Sequence, residues 1–150
     1  MQNEEAVIRR MTAGDVAFVA KIEEECFSSP WTSDSLISET VNPQAKFYVL
    51  EEEGTVVAYM GMHIVLDECY IANVAVSSDS RRRGFAERLV RNALEVAIEQ
   101  KCAFITLEVR KSNEGAISLY SKCGFETVGE RKNFYSKPTE NALIMTKYLR

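Results

Sequence analysis

The sequence predicts one α/β domain on a mixed sheet, with elements in the order β-α-α-β-β-β-α-β-α-β-β. Three features point to it. Residues 46–76 hold three β-rich runs separated by turns at Glu53-Gly54 and Asp67-Glu68, the pattern of an antiparallel meander. The period then changes, and Phe85, Leu89, Val90, Ala93, Val96 and Ala97 form an amphipathic stripe across Gly84–Lys101. Beyond it "CAFITLEV" reads as a buried strand. Tyr70–Val109 is therefore a strand–helix–strand unit, which closes as a right-handed parallel crossover inside an otherwise antiparallel sheet.

The other elements follow in order. "AVIRR" is a short strand, and Thr12-x-x-Asp15 after it resembles a capping box. Val16, Val19, Ala20 and Cys26 then recur at helical spacing. "SSPWTSDSLISET" is a loop leading into a second short helix, with Thr32 placed as its cap. In "SNEGAISLYSKCGF" a helix starts at Ser112 or Asn113 and stops at Gly124, which suits a left-handed C-terminal residue. Strands near Glu126–Phe134 and Ala142–Lys147 complete the order.

A length of 150 residues fits a single domain, and 46% apolar with 27% charged residues can build an ordinary core. No run reaches the ~20 apolar residues of a membrane span. "MQNEEAVIRR" lacks the apolar core of a signal peptide, so a cytoplasmic protein without a membrane partner is expected. Cys26, Cys69, Cys102 and Cys123 form no C-x-x-C pair, and His63 is the single histidine. Free thiols and no metal are expected, with His63 structural. The net charge of −4 argues against a nucleic-acid partner.

Against that acidic background, "RRRGFA" stands out. Arg81, Arg82 and Arg83 precede Gly84 at a helix start. A helix N-terminus already carries roughly half a positive charge and up to four unpaired amides. Three more cations belong there if an anion does, and a strand–loop–helix junction with a glycine is a natural anion site. A solvated basic loop is the alternative. No Walker A sequence follows, and the loop is not a complete G-x-G-x-x-G.

The wider pattern carries a resemblance. "RRRGFA" fits Arg/Gln-x-x-Gly-x-Gly/Ala at Arg81, Gly84 and Ala86, and "LEVRKSNEGAISLYSKCGF" follows the helix. With "PW", "VLDE" and "RKNFY", these strings resemble the GCN5-related N-acetyltransferase (GNAT) superfamily over nearly the whole chain. They are most similar to its bacterial RimI-type branch, the ribosomal-protein-alanine N-acetyltransferases.

The resemblance implies a GNAT fold and acetyl-CoA as co-substrate. The pyrophosphate would sit on the backbone of Arg81, Arg82, Arg83, Gly84, Phe85 and Ala86, with the side chains of Arg81 and Arg83 as further candidates. It also implies that strand Ile71–Val76 splays from Ala103–Val109, and that backbone groups of Val74, Ala75 and Val76 align the pantetheine arm. Asn113 is either a helix cap, worth about 1 kcal/mol, or a contact to that arm. Tyr120 reads as a core aromatic from its spacing, and by resemblance as the acid for the departing thiolate.

Glu108 intrudes in an apolar strand, as an exposed or ion-paired residue or, by resemblance, as the base. An α-ammonium group of pKa ~7.7–8.0 must lose a proton before it attacks, and a partly buried carboxylate with a raised pKa can take it. Phe27, Pro30, Trp31 and Tyr135 would shape the acceptor groove, although Trp31 equally suits a core anchor. The implied acceptor is a protein N-terminus, in this branch the alanine of a small-subunit ribosomal protein. Acetylation of a small amine, and a non-catalytic acyl-CoA-binding regulatory domain, stay open as alternatives.

Overall fold

The computed structural model describes residues 6–150, so "MQNEE" at the start of the sequence lies outside it. Strand β1 (Ala6–Arg10) leads into helices α1 (Val16–Cys26) and α2 (Ser33–Thr40). The meander β2 (Ala45–Glu52), β3 (Thr55–Val65) and β4 (Glu68–Val76) follows. Helix α3 (Phe85–Glu99), strand β5 (Phe104–Arg110), helix α4 (Glu114–Lys122) and strands β6 (Glu126–Tyr135) and β7 (Glu140–Tyr148) complete the chain. This is the predicted order. The turn between β3 and β4 comes a residue earlier than expected: Glu68 already belongs to β4, because Leu66 takes the left-handed turn conformation (φ +55°).

The seven strands form one sheet in the order β1-β2-β3-β4-β5-β7-β6, antiparallel at each pairing except β4–β5. Alternation along the strands supplies two faces. Ala58, Met60 and Met62 of β3 join Ile105 and Leu107 of β5 beneath α3, whose Phe85, Leu89, Val90, Ala93 and Ala97 are buried against them. Tyr59 between them points to the opposite face, where Val16, Val19, Ile22 and Leu36 of α1 and α2 cover Phe47 and Val49. The four cysteines are free thiols. Among the described residues, no helix is long and apolar enough to cross a membrane.

Two irregularities shape the middle of the sheet. The β3–β4 register passes from Gly61–Asn73 to Met62–Ile71, leaving Ala72 without an opposite residue, a β-bulge. The parallel β4–β5 pairing covers only Glu68–Phe104, Cys69–Ile105 and Tyr70–Thr106. Beyond it β5 stays paired with β7 as far as Arg110–Ala142, and β4 stays with β3 as far as Val76–Ala58. The sheet therefore opens into two halves, and residues 71–76 of β4 have no partner in β5.

The Thr12–Asp15 pattern forms a real cap. An Asp15 carboxylate oxygen accepts from Thr12 N–H at 2.7 Å, and the carboxylate takes both terminal nitrogens of Arg9 at 2.9 Å. The Arg9 hydrogen bonds above all hold the Asp15 pKa down, at about 2. A depressed carboxylate stabilises the fold above its unfolded pKa of ~3.9, and this contribution is lost as pH falls through the folded value. Asp15→Asn should therefore cost about 1–3 kcal/mol in urea unfolding at pH 7. The gap to the wild type should narrow at pH 3.

Candidate active site

The opening between β4 and β5 is lined by two adjoining cavities of about 530 and 550 Å³, which share Cys26, Phe27, Val74 and Asn113. The first ends at the arginine loop and is lined by Val74, Ala75, Val76, Ser80, Arg81, Arg82, Gly84, Phe85 and Ala86 among others. Arg82 (φ +66°) and Gly84 (φ +80°) both adopt the left-handed conformation, which glycine takes without strain. Gly84 is also the residue from which α3 starts. A turn of this kind at a helix start makes a concave, anion-binding backbone.

The three arginines divide their work. Arg83 turns out of the cavity into a bidentate ion pair with Glu52 and lies 4.6 Å over the Phe85 ring. Its side chain is therefore not where the sequence placed it, because a carboxylate at the end of β2 captures it. Arg81 lines the cavity, tethered through Nε to the Val76 carbonyl at 3.3 Å, with Nη2 3.2 Å from Cys26 Sγ. Arg82 lines it too and has no ion-pair partner among the described residues. The apparent crowding of charge is thus relieved by one ion pair, one tether to a carbonyl and one cation facing the cavity.

The second cavity lies at the other end, under the loop between α1 and α2. Glu108 stands on β5, a central strand, and its side chain is 12% exposed. Its Oε1 accepts from the Tyr70 hydroxyl at 2.5 Å, and its Oε2 lies 3.6 Å from Arg131. Tyr120 of α4 lines the same cavity, is 8% exposed and packs on Phe125 at 5.8 Å between centroids. Burial pushes its phenol well above the usual range, so it keeps its proton at any physiological pH. Burial and then the charge of Glu108 push Tyr135 up to about 12. Arg110 stacks over the Tyr135 ring at 4.5 Å.

Asn113 caps α4, its Oδ1 accepting from Ala116 N–H at 3.1 Å, and it also lines both cavities. Phe27 and Trp31 line the second cavity; Trp31 also packs on Phe47 at 5.7 Å, so groove wall and core anchor are one position. Pro30 is exposed and lines neither cavity. His63 binds Glu39 at 2.9 Å, packs on Phe47 and borders the second cavity. Tyr70 and Arg131 at Glu108, and Asn73 beside the bulge, were not singled out from sequence. Their placement depends on where two strands part, which no local pattern records.

Residues 16–125 match the model of the acetyltransferase (GNAT) family. A Bacillus subtilis (strain 168) protein is 40% identical over 141 residues, 93% of each chain, and is provisionally assigned as a [ribosomal protein bS18]-alanine N-acetyltransferase. An Escherichia coli (strain K12) protein named for that same activity is 31% identical over 142 residues, covering 92% of this chain and 94% of its own. The crystal structure of the ribosomal-protein-S18-alanine N-acetyltransferase from Escherichia coli superposes with a TM-score of 0.89 at 28% identity. It covers 96% of this chain and 94% of that one.

The arginine geometry separates neighbouring cations. Arg82→Ala should weaken acetyl-CoA binding by about 5–20-fold in calorimetry, the loss of one partly screened charge-assisted contact. Arg83→Ala should leave it within about twofold, because that side chain belongs to Glu52.

Proposed function

The chain belongs to the acetyltransferase (GNAT) family, and on that footing we propose that it acetylates the α-amine of a protein N-terminus from acetyl-CoA. The acceptor in this reading is the N-terminal alanine of a ribosomal protein, modified in the cytoplasm. The observation that carries the reading is the continuous cleft along the open edge of β4, with cations at one end and Glu108 at the other. The two relatives above, each aligned over more than nine-tenths of its length, support the choice of acceptor over a small amine.

The residues present suit this co-substrate. The Arg81–Ala86 backbone and Arg82 would hold the pyrophosphate, while backbone groups of β4 that face the opening around Val74 and Val76 would take the pantetheine amides as an added strand would. The cap on α4 uses Asn113 Oδ1 and leaves Nδ2 to reach the same arm. Backbone N–H groups beside the bulge polarise the thioester carbonyl, an oxyanion-hole contribution.

Glu108 removes a proton from the α-ammonium, directly or through one water, and the amine nitrogen forms its bond to the acetyl carbon. The carbon–sulfur bond then breaks, the electron pair leaves on sulfur, and the acylated nitrogen releases its extra proton to solvent. Tyr120 receives that charge by hydrogen bonding. Its phenol, raised by burial above the ~8.5 of a thiol, holds its proton too tightly for complete transfer to be downhill.

Peptides differing at their first residue, assayed with acetyl-CoA, test the reading. A free N-terminal alanine should turn over and its N-blocked form should not. Turnover of small amines with none of any N-terminal peptide would overturn the acceptor. Glu108→Gln should lower kcat by ~10²–10⁴-fold, the usual span of a general base. Its residual rate should climb with pH through ~8 as the amine loses its proton unaided. Tyr120→Phe should lower kcat with little change in either KM.

A further inference from the structure

We propose that Glu23 is a positioning residue for the acceptor, fixing the loop between α1 and α2 to the bulge of β4 and so setting the shape of the acceptor end of the cleft. The inference rests on the reading of that cavity as the acceptor site.

Glu23 lies on the buried face of α1, and its exposure is 0%. Its Oε1 accepts from the main-chain N–H of Trp31 at 2.8 Å. Its Oε2 accepts from Asn73 Nδ2 at 2.7 Å and from the Tyr59 hydroxyl. Asn73 Nδ2 also lies 3.3 Å from the Tyr59 oxygen. Among the described residues no cation pairs with this carboxylate. Burial accordingly raises its pKa, a cost that an apolar side chain at the same position would avoid.

The cost has a geometric return. An ionised carboxylate only accepts hydrogen bonds, and each of the three groups around Glu23 donates. They come from three places: Trp31 from the loop, Tyr59 from β3 and Asn73 from β4, next to the bulged Ala72. Trp31 and Asn73 line the acceptor cavity, while Tyr59 is buried behind them. One side chain therefore ties both walls of the cavity to the strand whose open edge borders the cleft. Glutamine has the same shape, but its –NH2 would face either Trp31 N–H or Asn73 Nδ2, donor against donor, so one of these two cavity-lining groups loses its acceptor.

The test uses the full chain with Glu23→Gln, and Tyr59→Phe as the comparison that removes one donor without touching the cavity. Glu23→Gln should raise the KM of the acceptor peptide at least 10-fold while the Kd of acetyl-CoA stays within about twofold. Hydrogen exchange at the Trp31 main-chain amide or at the Asn73 side-chain amide, read by NMR, should accelerate without a change at Cys69 and Ile105 in the core. Tyr59→Phe should lower the thermal midpoint and leave the acceptor KM near wild type.

An unchanged acceptor KM in folded Glu23→Gln overturns the proposal. So does a joint loss of acceptor and acetyl-CoA affinity in step with the thermal midpoint, which would mark a core role only. Should Glu23→Gln not fold, Asn73→Ala unhooks the β4 wall and must show the same acceptor-selective loss; a wild-type acceptor KM there overturns the proposal too. Absence of peptide turnover in the wild type fails the acceptor reading instead, and the exchange at Trp31 and Asn73 then decides the Glu23 tether alone.

Discussion

The structure turns on one broken pairing. Strands β4 and β5 run parallel for three residue pairs and part after Tyr70–Thr106, although each stays paired with its other neighbour. Strand edges expose unpaired N–H and C=O groups, and a protein normally covers them. Here the uncovered edge lies in the middle of the sheet, roofed by helices and flanked by side chains from α1, α3 and α4. Such an edge suits an extended ligand carrying amides of its own, which can pair with it as a strand does.

That constraint accounts for the placement of the other parts. The bulge at Ala72 disrupts the β3–β4 ladder where the strands diverge and re-aims the residues beside it. α3 begins at the far end of the opening, so its free amides face the cleft rather than solvent. Glu108 sits on the β5 wall among Tyr70, Tyr135 and Arg131, and Tyr120 on α4 closes the same space. Both walls are anchored independently of each other. β5 is held by β7, and β4 is held by β3 together with the Glu23 cluster. A cleft with separately fixed walls keeps its width without a ligand to prop it open, which is the preorganisation that acyl transfer needs.

Much of this was legible in the sequence. The change from alternating strands to the stripe of α3 located the crossover, and the loop ending in Gly84 marked the start of α3, where Arg81 and Arg82 line the cleft. Glu108 was conspicuous because a carboxylate is unusual in an apolar strand. Other features depend on partners far along the chain. Arg83 looked equivalent to Arg81 until Glu52, 31 residues away, captured it. The bulge adds one residue to a strand of ordinary composition. Glu23 is a carboxylate within "EEEC", yet it falls four residues after Val19 and seven after Val16. That phase puts it on the buried stripe of α1, and the mismatch of charge with phase was the available signal.

Amide hydrogen exchange along β4, with and without acetyl-CoA, tests the central claim most directly. The account predicts slowed exchange within residues 71–76, including Val74 or Val76. Glu68–Tyr70, already paired with β5, should change little. Binding of acetyl-CoA with no added protection at residues 71–76 would contradict it, because the cofactor would then lie somewhere other than the open edge.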